Sequence, residues 1–343
     1  KNKHRFSLMR KKIQSSYEIV KRAIFHDGPE RLPVKMGSLG ISDTLYIPCK
    51  SFWRFDNNMD EWGCHWEQTE TTNMGQVKGH PLNDYSEYEK MIVPDYSKTL
   101  PKKEIIQALK KAEAEQKYTE TGIFMILFER MQALVGFENA LTGLILDREN
   151  AEKLADKIVD IQIGLVKLMQ ETCGNKLHSF TMTDDWGTQQ AAYISIELWR
   201  DFFLPRYKKI FDVMHKGGQD VWVHSCGKVN EIIEGYIEAG VNVVNLQQPR
   251  ALGIEEIGRR YRGRIAFESL ADIQVTLPKG DKTLIEQDAR DLSQHWMSPK
   301  GGFILSDYGD GKAIGTTNES KKLMYDAFSR ISEAIYGIPL PAL

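Results

Sequence analysis
The chain has 343 residues, 41% of them hydrophobic and 27% charged, with a net charge of -2. That length can bury a large core without disulfides or structural metals. With 45 basic against 47 acidic residues there is no cationic surplus to draw nucleic acid or an anionic membrane surface.

Residues 1–25 read as a helix, ended by His26-Asp27-Gly28-Pro29. The basic run 1–12 lacks the apolar core of a secretion signal. Residues 32–36 form a short apolar strand. Residues 52–81, rich in Trp, Gly, Asn and Thr, suit a hairpin with loops. A polar amphipathic helix follows at 102–117. After residue 120 strands and helices alternate. Strands are expected at 122–128, 180–182, 220–223, 241–245, 264–267 and 302–305. Helices are expected at 137–171, at 196–216 with a break near Pro205, and at 230–239, 253–261, 282–296 and 318–336. Such alternation builds a parallel sheet, and short, numerous strands favour a closed (β/α)8 barrel over an open sheet. No G-x-G-x-x-G motif follows a strand, which weakens a dinucleotide reading. We expect one domain over 1–343, with 1–120 decorating a main barrel at 121–343.

No apolar run approaches the roughly 20 residues that span a bilayer. The four cysteines, Cys49, Cys64, Cys173 and Cys226, show no paired spacing, so reduced thiols in a cytoplasm are expected. The sharpest chemical signal is His224-Ser225-Cys226-Gly227 at the end of the 220–223 strand. Positions two apart on a strand face the same way, and an imidazole with a sulfur suits Zn2+. A structural histidine and an inert cysteine would read the same in isolation, because two ligands do not complete a site. Glu268 and Asp307, just past later strands, are candidates for the rest. A second signal is Thr183-Asp184-Asp185-Trp186-Gly187-Thr188-Gln189. Adjacent carboxylates point apart, so at most one faces a site, while Asp185 or Thr188 could instead cap the next helix. A third is Asp60-Glu61-Trp62-Gly63-Cys64-His65-Trp66-Glu67 with Met74-Gly75, which suits either a wall over an apolar ligand or a hairpin packing its aromatics.

At these residues the chain resembles the uroporphyrinogen decarboxylase superfamily. The likeness runs through Arg31-Leu32-Pro33-Val34, Asp60-Glu61-Trp62-Gly63 and Asp184-Asp185-Trp186-Gly187-Thr188-Gln189. It continues through Leu204-Pro205-Arg206-Tyr207, His224-Ser225-Cys226-Gly227 and Gly301-Gly302-Phe303-Ile304-Leu305. It implies a TIM barrel. The decarboxylases carry an early Arg-Gln-Ala-Gly-Arg segment, whereas Met36-Gly37-Ser38-Leu39-Gly40 stands here without an arginine to grip a polycarboxylate. The corrinoid-dependent methyltransferase branch binds zinc through a His-x-Cys pair, matched by His224 and Cys226. That branch also has a later cysteine, where this chain has Ser306-Asp307-Tyr308-Gly309-Asp310-Gly311.

An oxygen ligand in place of that thiolate makes a harder Lewis acid, suited to an oxygen leaving group. The resemblance therefore implies methyl transfer from a methoxylated, aromatic small molecule to the cobalamin of a separate corrinoid protein. Zn2+ would sit on His224, Cys226 and Glu268. Asp184, Asp185, His224 and Asp307 would serve the chemistry, and Met36, Trp62, Met74, Phe124, Trp186 and Gln189 the substrate. Alternatives are thiol methylation by a methylcobamide, a decarboxylase, a barrel in which His224 acts as acid or base without zinc, and a non-catalytic binding barrel.

Overall fold
Short apolar strands between helices are buried on both faces, a condition that a parallel sheet wrapped in helices satisfies. The computed structural model, which describes residues 13–49, 51–52, 54, 57–70 and 75–343, has this architecture. Its parallel strands are β1 (Val34–Met36), β2 (Thr44–Tyr46), β3 (Tyr118–Ile123), β4 (Ser179–Thr183), β5 (Asp220–His224), β6 (Val243–Leu246), β7 (Ala266–Ser269) and β8 (Phe303–Ser306). They lie in the order β1-β8-β7-β6-β5-β4-β3-β2. Ile41–Ser42 pairs antiparallel with β1 as a ninth strand.

The two sheet edges, Ile41–Ser42 and β2, are consecutive in the chain, so the sheet closes into a barrel at Asp43. This buried carboxylate fastens the seam. It accepts the Val34 N–H at 2.9 Å and both Arg31 Nη atoms at 2.7 and 2.6 Å, while the Asp43 N–H donates to the Val34 carbonyl at 2.7 Å.

Strand alternation sorts the side chains into layers. Tyr118, Trp222, Val243, Ala266 and Ile304 point inward and form a small core with Val20 and Ile24. The helix Ser16–Ile24 supplies those two, and its start is fixed by a capping box between Ser15 and Glu18. Two residues further along β3, β5, β6 and β7 stand Glu120, His224, Asn245 and Glu268, and Lys35 joins them from β1. Apolar residues fill the first layer and polar ones the second.

The helices 282–296 and 318–336 form as read, at Lys282–Trp296 and Asn318–Tyr336. Pro205 divides 196–216 into Ile196–Phe202 and Leu204–Lys216, with the proline in the first turn of the second helix. The hairpin in 52–81 pairs His65–Glu67 with Gln76–Gly79. Three readings need correction. The strand expected at 122–128 lies earlier, at β3, and Phe128–Val135 is helix, because Glu120 faces the barrel interior and Thr119 and Thr121 are buried on the other face with their hydroxyls bonded to backbone carbonyls. The 137–171 helix is two helices, Phe137–Leu146 and Arg148–Cys173, parted at Asp147. The first helix begins at Ser16, and the part of that reading in 1–12 lies outside the described residues. Among the described residues no helix is long and apolar enough to cross a membrane.

Candidate active site at the barrel mouth
β5 ends at His224, and the chain turns sharply at Gly227, whose φ is +81°. A Cβ at Gly227 would collide with the Gly187 carbonyl, and one at Gly187 would come within 2.7 Å of the Lys228 nitrogen. The loops after β4 and β5 therefore meet backbone to backbone. Lys228 N–H donates to the Thr188 carbonyl at 2.7 Å, and Trp186 N–H to Ser225 Oγ at 3.0 Å. This contact fixes Asp185 opposite Cys226.

Asp185, His224 and Cys226 converge, with one potential ligand atom from each inside a 4.8 Å span. His224 Nε2 lies 3.2 Å from Cys226 Sγ and 3.7 Å from Asp185 Oδ1, and Asp185 Oδ1 accepts the Cys226 N–H at 2.8 Å. On the far side of the ring, Nδ1 lies 2.7 Å from Asn245 Oδ1. An amide oxygen accepts, so Nδ1 carries the proton there, and the Asn245 amide also favours the charged form of the Glu268 carboxyl beside it. The Nε2 lone pair is thereby aimed at Cys226. Burial, then the Asp185 charge, pushes the Cys226 thiol far above its ordinary range. An oxygen, a nitrogen and a sulfur at this spacing fit Zn2+, whose tetrahedral N and S ligands stand ~3.5 Å apart. A bound cation would also lower the thiol's pKa by its charge.

The neighbouring acids differ. Asp184 faces away from the cluster and is fully buried. It accepts the backbone N–H groups of Phe128 and Glu129 at 2.9 and 2.7 Å and the Tyr207 hydroxyl, so it caps the helix Phe128–Val135. Burial pushes its carboxyl up to about 7 against those bonds. Glu268, a zinc candidate from sequence, lies outside the cluster, on the wall of the deep cavity 3.4 Å from Lys35 Nζ. Burial raises its carboxyl while Lys35 opposes. Asp307 pairs with Lys321 at 3.0 Å and accepts the Ser38 N–H at 2.9 Å.

Two cavities meet at the cluster. A deep one of about 590 Å3 enters the barrel past Lys35, Phe52, Trp222, Asn245, Glu268 and Asp307. A wider one of about 1090 Å3 opens above it beside Asp185, Cys226, Glu129, Gln248 and Tyr308. Phe124, Thr183, His224 and Gln247 line both. Of the apolar candidates, Phe124 is on the wall. Met36 is one position off the inward register and packs in the outer core. Trp62 is buried beneath Arg130, whose guanidinium lies 4.7 Å from its ring. Trp186 stacks on Phe128 at 4.0 Å and bonds Tyr207. Gln189 is exposed on the 188–191 turn and lines neither cavity, and Met74 lies outside the described residues.

Sequence reasoning missed Glu129, Asn245 and Lys35. Asn245 and Lys35 follow from strand register alone. Glu129 carries no such signal, since it reaches the mouth from a helix start that an expected strand had covered. Burial, then Asp185 and Asp184, holds its carboxyl far above the usual range.

The family model for uroporphyrinogen decarboxylase (URO-D) matches residues 60–330. No curated protein matches the chain. A methyltransferase from Methanosarcina mazei shares the fold at a TM-score of 0.70 and 15% identity, over 92% of this chain and 99% of that one. An endo-1,4-beta-xylanase from Penicillium canescens (TM-score 0.41, 11% identity, 72% of this chain and 81% of that one) is too distant to carry an argument. The same holds for a D-psicose 3-epimerase (TM-score 0.39, 11% identity, 74% and 88%). With its motifs on the barrel strands where the family match runs, the chain belongs to the uroporphyrinogen decarboxylase family.

Proposed function
We propose that this chain is a methyltransferase that moves a methyl group from a methoxylated, aromatic small molecule to the cobalamin of a separate corrinoid protein. The observation that carries the reading is the convergence of Asp185, His224 and Cys226 where the deep cavity opens into the wide one. The ether lies in the deep cavity with its methyl group towards the mouth, and the corrin approaches through the wide cavity. The fold shared with the M. mazei methyltransferase supports a methyltransferase reading. So does the wall itself. Among the described residues lining either cavity the lysines and arginines reduce to Lys35, already between two carboxylates, and a polyanionic tetrapyrrole would find no partner there.

In the reaction the cob(I)alamin electron pair forms the cobalt–carbon bond, the O–CH3 bond breaks, and the ether oxygen leaves with a proton. Asp185, His224 and Cys226 would hold Zn2+, which when bound supplies Lewis acidity suited to an oxygen leaving group. Asp185 provides the hard oxygen donor that favours an ether over a thiol. Asn245 keeps the His224 ring in one tautomer and orientation. Glu129, protonated by its surroundings, stands beside Asp185 and Cys226 at the mouth and supplies the proton.

The test mixes the zinc-loaded protein, a cob(I)alamin-bearing corrinoid protein and a methoxyarene, and follows the corrinoid absorbance with the phenol released. Conversion to methylcobalamin with one phenol per methyl is expected. Release of CO2 from a carboxylated substrate without corrinoid would overturn the reading, and so would thiol-dependent demethylation of methylcobalamin with no reaction of ethers.

A further inference from the structure
Across the barrel from the Asp185, His224 and Cys226 cluster the deep cavity is lined by charges that methyl transfer leaves unused. Lys35 Nζ donates to Glu120 Oε2 at 2.7 Å and stands 3.4 Å from Glu268 Oε1. Thr44 Oγ1 donates to the other Glu120 oxygen at 3.0 Å. The ammonium sits 5.2 Å from the centre of the Trp222 ring. Both carboxylates are buried. Burial works against the Lys35 charge, but Glu120 and then Glu268 outweigh it and hold the amine protonated.

An ammonium has three N–H donors, and a carboxylate about four acceptor positions. Glu120 occupies one of the Lys35 donors, and Glu268 stands at ion-pair distance from the same ammonium with the Asn245 amide beside it. One donor and at least one acceptor are thus left side by side on a cavity wall.

We propose, resting on the methyl-donor reading above, that Lys35 and Glu268 recognise a neutral hydroxyl on the end of the substrate away from its methyl group. The donors are then methoxylated phenols rather than methoxylated carboxylic acids. A hydroxyl donates to Glu268 and accepts from Lys35 without adding charge. A carboxylate would set a third negative charge beside two that share a single cation, out of water, which is costly. Asp307, the other acid lining this cavity among the described residues, offers no relief, since Lys321 already neutralises it.

The spacing fits. His224 pairs with Asn245, and Asn245 with Glu268, on consecutive strands. Two strand spacings place the His224 and Glu268 backbones about 10 Å apart, room for one substituted ring. Phe52 and Phe124, with centroids 5.0 Å apart and planes at 61°, supply the apolar wall.

The test is calorimetric titration of the protein with meta-methoxyphenol, anisole and meta-methoxybenzoate, without corrinoid. Methoxyphenol is expected to bind about tenfold more tightly than either of the others, the scale of one well-made buried hydrogen bond. In Glu268→Gln, which removes one negative charge, methoxybenzoate should gain about tenfold on methoxyphenol. Equal binding of methoxybenzoate or anisole by the wild type overturns the proposal, whether or not the variant folds. Hydroxyl selection without methyl transfer would support this site and overturn only the transferase reading. Transfer without hydroxyl selection would overturn this site alone.

Discussion

The floor and the mouth of the barrel hold comparable numbers of ionisable groups but balance them differently. At the floor Lys35 stands between Glu120 and Glu268, and every charge has a partner within the layer. At the mouth Asp185, Glu129 and Cys226 gather with Asp184 close behind. Among the described residues no lysine or arginine pairs with any of them. The floor is electrostatically complete without a ligand. Burial first, and then the nearby negative charge, raises the pKa of the acid and the thiol at the mouth, so a metal ion bound there would supply a positive charge that folding alone does not. Removing the floor's single cation should therefore act on folding, and changes at the mouth on metal binding.

The largest expected effect tests the floor. Lys35→Met strips two buried carboxylates of their shared cation and should cost roughly 3 kcal/mol of stability, discounted for the partial exposure of the lysine. Denaturant unfolding of the zinc-free protein measures it. A loss under 1 kcal/mol would mean that the floor is not the balanced unit described here.

At the mouth, Cys226→Ala should leave zinc-free stability near wild type but lower zinc affinity by more than ~100-fold, beyond what changes around a ligand produce. Competition against a chromogenic chelator reads this directly. Unchanged zinc content would remove the metal from the cluster.

Adjacent residues sharpen the contrast further. Asp184→Ala leaves two backbone N–H groups and the Tyr207 hydroxyl without their acceptor and should cost about 2 kcal/mol. Asp185→Ala should cost little stability yet lose zinc. Thermal unfolding beside metal analysis separates the two, and reversed behaviour would exchange their roles.

Much of this was legible in the sequence. The run ending at His224 gave β5 and the pairing of His224 with Cys226, because a buried strand before a glycine turn has few alternatives. Adjacent carboxylates on an extended chain diverge, which is how Asp184 and Asp185 come to face opposite ways. Legibility failed where burial inverts the usual pattern. Glu120 and Thr119 look like loop residues, yet they lie inside β3, Glu120 paired with Lys35 within the barrel and Thr119 bonded to the Lys176 carbonyl on the other face, and so the strand was read four residues late. Tryptophans suggested a pocket wall at Trp62 and Trp186, but large aromatics fill a core as readily as they line a cleft, and only three-dimensional packing separates the two. Glu268 was placed with the metal because it follows a strand, and its ion pair with Lys35, more than 200 residues earlier in the chain, carries no local signature.

Asn245 touches both regions, so the smallest effect is also the most discriminating. Its oxygen faces His224 and its amide favours the charged Glu268 carboxyl, so it joins the charge-balanced floor to the mouth. If the mouth takes a metal through Nε2, the acceptor on Nδ1 orients the ring and raises its basicity, an influence worth 10–100-fold in metal affinity in comparable sites. Asn245→Leu should weaken zinc binding about tenfold, near the lower end of that range because Asp185 and Cys226 remain, while Asn245→Asp, which keeps an acceptor, should stay close to wild type. Chelator competition on the three proteins distinguishes a ring held for coordination from one held only by packing. Equal affinity in Asn245→Leu and wild type would show that His224 needs no orientation from Asn245, and the two regions would then be independent.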